Sequence, residues 1–315
     1  MKTQKTNPQS LTLKKVSQGF ILSLQSRKLS PNTVRDYTNT LRKFMERVGE
    51  NKTFESIKPN HIQGFLASVT GVTNKTLLNY YIGISSLYTW AVKERLTADH
   101  VAHQVTPPVP EKREILPLSE NDIRALLNNL ARSKSYDRPG KRKSDHALPE
   151  AHRTKAIILT LLDTGIRASE LTDAKVSDLD RSNQRLRVFG KGSKERSIPL
   201  SPRTLQAIWR YLSTRDDPKP DAPLFATYTE RTIDRKALGK MLVALGRRAG
   251  VKNVHPHRFR HTFAIQYLRN GGDPYTLQRL LGHSTLDMVK VYLQLAQVDV
   301  DKAHRRASPV DNWAL

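Results

Sequence analysis

Apolar positions in this chain recur mainly at helical spacing. Phe20, Ile21 and Leu24 mark a helix within residues 15–30. Ser30-Pro31-Asn32-Thr33 then reads as a helix start, with Ser30 as N-cap and Pro31 at the first helical position. Val34, Tyr37, Leu41 and Phe44 continue it as one apolar stripe, and Gly49 ends it. After Ile57-Lys58-Pro59 a third pattern covers His61–Val69. A fourth runs from Lys75 to Arg95, where Leu77, Tyr80, Tyr81, Ile84, Leu87, Tyr88 and Ala91 repeat at helical spacing and Asn74 is the expected cap. Residues 15–100 therefore predict a four-helix unit with short connections.

Pro107, Pro108 and Pro110 interrupt that rhythm, because proline removes a backbone donor and clashes inside a helix. They mark the boundary. The expected layout is a basic tail over 1–14, a helical unit over 15–105, a proline-rich linker over 106–116 and a second unit over 117–315 with a C-terminal segment from about residue 296. In the second unit Ser119 caps a new helix, with Asp122 three residues on. Residues 133–154 are polar, basic and turn-rich and read as a flexible loop. Its Arg138, Lys141, Arg142 and Lys143 suit either phosphate contact or a solvated surface. An apolar helix over Lys155–Asp163 runs into the Gly165 break, and Ser169 or a neighbour restarts a helix. Leu186–Phe189 and Arg196–Leu200 flank Gly190-Lys191-Gly192-Ser193 as a β-hairpin. Helices follow over 202–214 and 232–249. Pro256 opens another, which Gly271-Gly272 close; a short one spans Pro274–Leu281 and ends at Gly282. Ser284, with Asp287 three residues on, is the expected cap of the last, and Tyr292 lies inside it. The fold class is mainly α with a small β-hairpin or sheet.

Charge changes the picture. The 315 residues carry 53 Lys and Arg against 29 Asp and Glu, a net +24, with 37% hydrophobic residues. Such an excess reads as the footprint of a polyanionic partner. The chain has no cysteine, so disulfides, thiolate nucleophiles and cysteine-bound zinc are ruled out, which suits a reducing cytoplasm. No apolar run is long enough to span a membrane, and MKTQKTNPQSLTLKK lacks the apolar core of a secretory signal.

Candidate chemistry concentrates in His255–Tyr292. His257 and Arg260, at i and i+3, leave one helix face; arginine offers a planar fork to phosphate oxygens and histidine moves protons near neutral pH. The bland alternative is a basic helix face without chemistry. His257 and His261, at i and i+4, have zinc-like spacing but no acidic residue or cysteine beside them, so no metal is expected. Arg167 is either a structural arginine paired to Glu170 or a phosphate ligand backed by it. Lys191 is either a solvated turn lysine or a mobile one that reaches a leaving group. Tyr292 is by default a core residue, and its phenol becomes a nucleophile only when its proton is removed and the anion stabilised.

Together and in order, TGIRASEL (Thr164–Leu171), GKGSKERSIPL (Gly190–Leu200), HPHRFRHTFA (His255–Ala264) and LLGHSTLDMVKVY (Leu280–Tyr292) resemble the tyrosine recombinase (phage integrase) family, Xer-like members above all. SPNTVRDYTNTLRKFM and the Lys75–Arg95 helix resemble its four-helix core-binding domain, so the resemblance covers about residues 15–300. It implies an α-rich catalytic domain behind a SAM-like DNA-binding domain, and a site-specific recombinase that needs no cofactor. By that resemblance Tyr292 attacks a scissile phosphate to give a 3′-phosphotyrosyl bond, Arg167 and Arg260 clamp the non-bridging oxygens, Lys191 protonates the leaving 5′-oxygen, His257 accepts the tyrosine proton and His283 hydrogen-bonds the phosphate. Lys75, Lys194, Arg196 and Arg258 are further candidate DNA contacts, and His255 and His261 flanking or packing residues. The implied partners are duplex DNA at specific sites and three further copies, or a related recombinase subunit, in a tetramer that passes through a Holliday junction. The C-terminal segment is expected to pack on a neighbouring subunit. The short N-terminal tail implies binding to core sites without an added arm-binding domain. Type IB topoisomerases and telomere resolvases share this chemistry, and a DNA-binding protein that has lost catalysis is the non-enzymatic alternative.

Overall fold

The computed structural model describes residues 11–111, 116–130, 149–190, 195–283, 285–296, 304 and 308–313. The chain divides into two compact units, Met1–Arg113 and Glu114–Leu315. The readings made above for Arg138, Lys141, Arg142, Lys143, Lys191, Lys194 and Ser284 fall outside the described residues.

The first unit is built from α1 (Leu13–Ser26), α2 (Pro31–Val48), α3 (Pro59–Ser68) and α4 (Asn74–Lys93). Their apolar stripes meet in one core that includes Leu13, Phe20, Phe44, Ile62, Phe65, Ile84 and Tyr88. Leu13 is fully buried, so the first helix begins inside the stretch expected to be a tail. Ser30 caps α2 as predicted, its side chain accepting from the Thr33 amide, and Gly49 ends that helix with a φ of 100°. Asn74 is not the cap of α4. Thr73 accepts from the Thr76 amide, and the Asn74 side-chain amide donates to the Val109 carbonyl at 3.1 Å. Lys75 is exposed in the first turn of α4.

The second unit opens with α5 (Glu120–Asn128), started by the Ser119–Asp122 capping box. Next comes α6 (Pro149–Thr164), which begins well inside the stretch read as a loop. Ala151 and Thr154 are buried there, and Arg153 donates to the Ala226 carbonyl at 2.8 Å. The helix is thus held by packing that its polar first turns do not reveal. A short α7 (Ala168–Asp173) leads into a three-stranded antiparallel sheet in the order β1 (Leu179–Asp180), β2 (Arg185–Phe189), β3 (Glu195–Pro199). The hairpin was legible; the two-residue β1 was not. Leu186 pairs with Ile198 and Val188 with Arg196, and Leu186, Val188 and Ile198 face the main core.

Helices α8 (Pro202–Leu212), α9 (Arg235–Ala249), α10 (Pro256–Arg269), α11 (Pro274–Leu281), α12 (Asp287–Ala296) and α13 (Pro309–Trp313) complete the unit. Ile157, Leu161, Leu171, Ile208, Leu242 and Phe259 belong to the large core. A second, smaller core joins α10, α11 and α12 through Ala264, Ile265, Leu268, Leu277, Leu281, Val289, Tyr292 and Ala296. Of these helices, α12 starts at Asp287.

Candidate active site

Three breaks in helical structure converge on one cavity. Gly165, at φ +61°, takes the chain from α6 to Arg167 through a left-handed conformation that a side chain disfavours. Arg167 stands at the N-terminal boundary of α7, where its amide donates to Glu170 Oε2 at 2.8 Å. Gly282, at φ +64°, ends α11 and delivers His283. Pro256 starts α10, which carries His257, Arg260 and His261.

The cavity has a volume of about 760 Å³, and its walls include Arg167, His257, Arg260, His283 and Tyr292. Arg260 is 2% exposed. Its Nη1 donates to the Gly165 carbonyl at 2.7 Å, and its Nη2 to the Leu281 carbonyl at 2.8 Å and to His283 Nε2 at 2.7 Å. An arginine has no acceptor, so the last contact makes Nε2 the acceptor and places the His283 proton on Nδ1. That Nδ1 is buried and has no hydrogen-bond partner among the described residues. Burial first, and then the neighbouring Arg167, lower the Arg260 pKa to about 10, which leaves the guanidinium charged at neutral pH. One buried cation thus ties the ends of α6 and α11 to α10.

Arg167 donates through Nη1 to Glu170 Oε1 at 2.9 Å and through Nη2 to the Gly282 carbonyl at 3.2 Å. Its side chain is more open than that of Arg260, at 38% exposure. Burial alone would raise the Glu170 carboxyl, but hydrogen bonds from Arg196 and Arg167 outweigh it and hold the group ionised, below its ordinary range. Arg167 is paired to Glu170, as the structural alternative expects, and its side chain also lines the cavity.

Tyr292 is 2% exposed and has two imidazoles beside it, with a third packed against one of them. The His261 ring lies 5.4 Å from its ring and the His283 ring 6.4 Å, centre to centre, and His257 stacks edge-on against His261 at 5.1 Å. Burial raises the Tyr292 pKa, and Arg260 and Arg167 oppose the rise by favouring the phenolate. All three imidazoles are kept neutral. Burial, then nearby cations, lower His283 to about 4; burial, then His257 and Arg260, lower His261 to about 4. Burial, then Arg260, shift His257 down as well, although it stands at the solvent edge. A neutral imidazole beside a phenol can accept its proton, and two guanidiniums can hold an anion. Among the described residues no group of three or more His, Asp or Glu is placed to hold a metal ion, and His257 and His261 lack a third ligand.

Two expected surface contacts are placed otherwise. Arg196 forks onto both Glu170 oxygens, at 2.9 and 2.7 Å, and donates to the Leu280 carbonyl at 2.9 Å. Arg258 donates to the carbonyls of Leu116, Pro117 and Lys252. Both guanidiniums are therefore engaged by the protein's own acceptors, and Arg196 also lines the cavity. His255 caps α10, accepting from the Arg258 amide. Sequence reasoning also passed over Arg279, an exposed cation on the cavity wall with no local motif to flag it.

The Phage integrase family model matches residues 117–298, and the model of its N-terminal SAM-like domain matches 18–95. The chain is 30% identical over 299 residues to the tyrosine recombinase XerC of Pelobacter propionicus, covering 91% of this chain and 94% of that one. Among solved structures it is similar to the Tn1549 transposon integrase in complex with a circular intermediate DNA, with a TM-score of 0.72, 20% identity and coverage of 91% and 99%. It is also similar to a lambda integrase tetramer bound to a Holliday junction, with a TM-score of 0.70, 16% identity and coverage of 90% and 78%. At these identities the two structures speak for the fold.

Proposed function

This chain belongs to the phage integrase family of tyrosine recombinases, and we propose that Tyr292 is its nucleophile, with Arg167, Arg260, His257, His283 and Lys191 completing the site. The enzyme cleaves and rejoins DNA at specific sites. The observation that carries the assignment is that Tyr292, Arg167, Arg260, His257 and His283 line one cavity.

The steps follow from the chemistry of these groups. The Tyr292 oxygen attacks phosphorus while its proton passes to neutral His257. Arg167 and Arg260 stabilise the charge that builds on the non-bridging oxygens, and His283 on the cavity wall hydrogen-bonds one of them, a role that rests on the family pattern. The bond from phosphorus to the 5′-oxygen breaks, and Lys191 protonates that oxygen; this last role rests on the family pattern. The phosphodiester becomes a phosphotyrosyl ester of similar energy, so a 5′-hydroxyl from another strand reverses the steps without a nucleotide cofactor or metal ion. The helical first unit and the exposed cations grip duplex DNA, which accounts for a net charge of +24. Four copies act on two sites through a Holliday junction, and the residues after Tyr292 pack on the next subunit. No described helix is long and apolar enough to cross a membrane, and the proposed place of action is the cytoplasm.

A duplex nicked beside the cleavage point loses its leaving strand and traps the covalent intermediate. The unsubstituted protein should form a phosphotyrosyl adduct in EDTA, and Tyr292→Phe should form none while still binding the site. An adduct on Tyr292→Phe would overturn the assignment of the nucleophile. Relaxation of supercoils without strand exchange between two labelled sites would favour topoisomerase-like action.

A further inference from the structure

Arg196 is a largely buried cation on β3 that the steps above do not use; its side chain is 15% exposed. It closes a ring of hydrogen bonds. Its Nη1 and Nη2 reach Glu170 Oε1 and Oε2 at 2.9 and 2.7 Å, and its Nε reaches the Leu280 carbonyl at 2.9 Å. Glu170 in turn holds Arg167 by the Nη1–Oε1 bond, and Arg167 Nη2 reaches the Gly282 carbonyl, two residues beyond Leu280. Room for this ring comes from Gly282. A Cβ there would stand 3.0 Å from Arg196 Nη1 and 3.1 Å from its Cζ.

The ring solves a problem in electrostatics. Left alone with Glu170, Arg167 would form a two-pronged ion pair, the strongest geometry for that pair. Its charge would be cancelled and its donors drawn from the cavity. Arg196 takes that two-pronged position itself. Arg167 keeps one side-chain bond to the carboxylate, and the three groups carry a net charge of +1 from two cations and one anion. The bond to Leu280 also fixes the turn that presents His283.

We propose that Arg196 is a positioning residue that holds Glu170 and the 280–283 turn so that Arg167 and His283 stay aimed at a non-bridging phosphate oxygen. This rests on the reading of Arg167 as a phosphate ligand.

The test measures single-turnover adduct formation by the full chain on a nicked site, with either an ordinary scissile phosphate or a methylphosphonate there. The methylphosphonate lacks one non-bridging oxygen and its charge, so the aim of Arg167 matters less. Arg196→Ala should cleave the phosphodiester about 100-fold more slowly, the scale of a misplaced catalytic contact. On the methylphosphonate its loss should stay below about 3-fold on the same scale. Arg196→Lys, which keeps the charge but not the fork, should behave as Arg196→Ala does, and it carries the comparison if the alanine variant does not fold. The double variant with Arg167→Ala should be no slower than Arg167→Ala alone. Equal losses on both substrates, full activity of Arg196→Lys, or losses that multiply in the double variant would overturn the proposal. If Arg167→Ala itself cleaves at the unsubstituted rate, it is the assignment of Arg167 that fails.

Discussion

Gly165→Ala tests how the site depends on backbone that no functional residue supplies. Gly165 has φ +61°, where an L-residue is strained by roughly 1–2 kcal/mol. The new Cβ would also lie 2.4 Å from Phe263 Cδ1 and 2.9 Å from Leu281 Cδ2. Both are side chains in a packed region, so they must shift, at an overpacking cost of about 1–3 kcal/mol. A central value of about 3 kcal/mol should lower the melting midpoint of a unit of this size by about 6–12 °C. The functional effect is separate. The Gly165 carbonyl accepts from Arg260 at 2.7 Å, so a backbone shift moves the buried cation. A displacement near 1 Å is worth about 100-fold in rate. Calorimetry and adduct formation on the nicked site read the two effects independently. Adding Phe263→Leu should relieve the collision and recover part of the stability, leaving the conformational strain. An unchanged midpoint and rate in Gly165→Ala, or no recovery from Phe263→Leu, would refute this reasoning.

Thr262→Val should cost about 1–3 kcal/mol, because the buried Thr262 hydroxyl accepts from the Leu118 amide at 2.8 Å and valine leaves that amide unpaired; denaturant unfolding checks it. His261 and His283 are held near pKa 4, against an ordinary value of 6.5, so between these values the unfolded chain binds more protons than the folded one. Stability contributed by these rings should be complete above pH 6.5 and fall as the pH drops toward 4, with His261→Phe flattening part of the slope in thermal melts across that window. DNA affinity should fall by about 10³ or more between 50 and 200 mM salt if some six phosphates are neutralised, measured by anisotropy; a flat salt profile would contradict the role given to the charge.

Local signals in the sequence decide the structure where the partner lies within one helical turn. Ser30 with Pro31, Ser119 with Asp122, and Gly282 after Leu281 act within that range. Elsewhere a distant group decides. Thr73 and Asn74 are both competent caps, and the choice follows from a carbonyl at Val109 that engages Asn74. The polar first turns of α6 are held as helix by contacts such as Arg153 with Ala226, 73 residues away. Arg167, Arg260 and Tyr292, which line one cavity, are marked in the sequence by motif order. Arg196 and Arg258 looked like the same kind of surface cation, because sequence shows a charge but not the acceptors that take it up from 26 and 142 residues away.

Tyr292 shares its small core with α10 and α11, whose residues set Arg260 and His283. On the assignment proposed above, a nucleophile embedded in the same packing as the groups that hold its target could not be lent to a neighbour without dismantling that core. Each copy should then cut the strand in its own grip. In an assembly mixed from active and Tyr292→Phe subunits, every inactive copy would silence the phosphate in its own grip and no other, and the pattern of uncut strands would map the position of each subunit on the DNA.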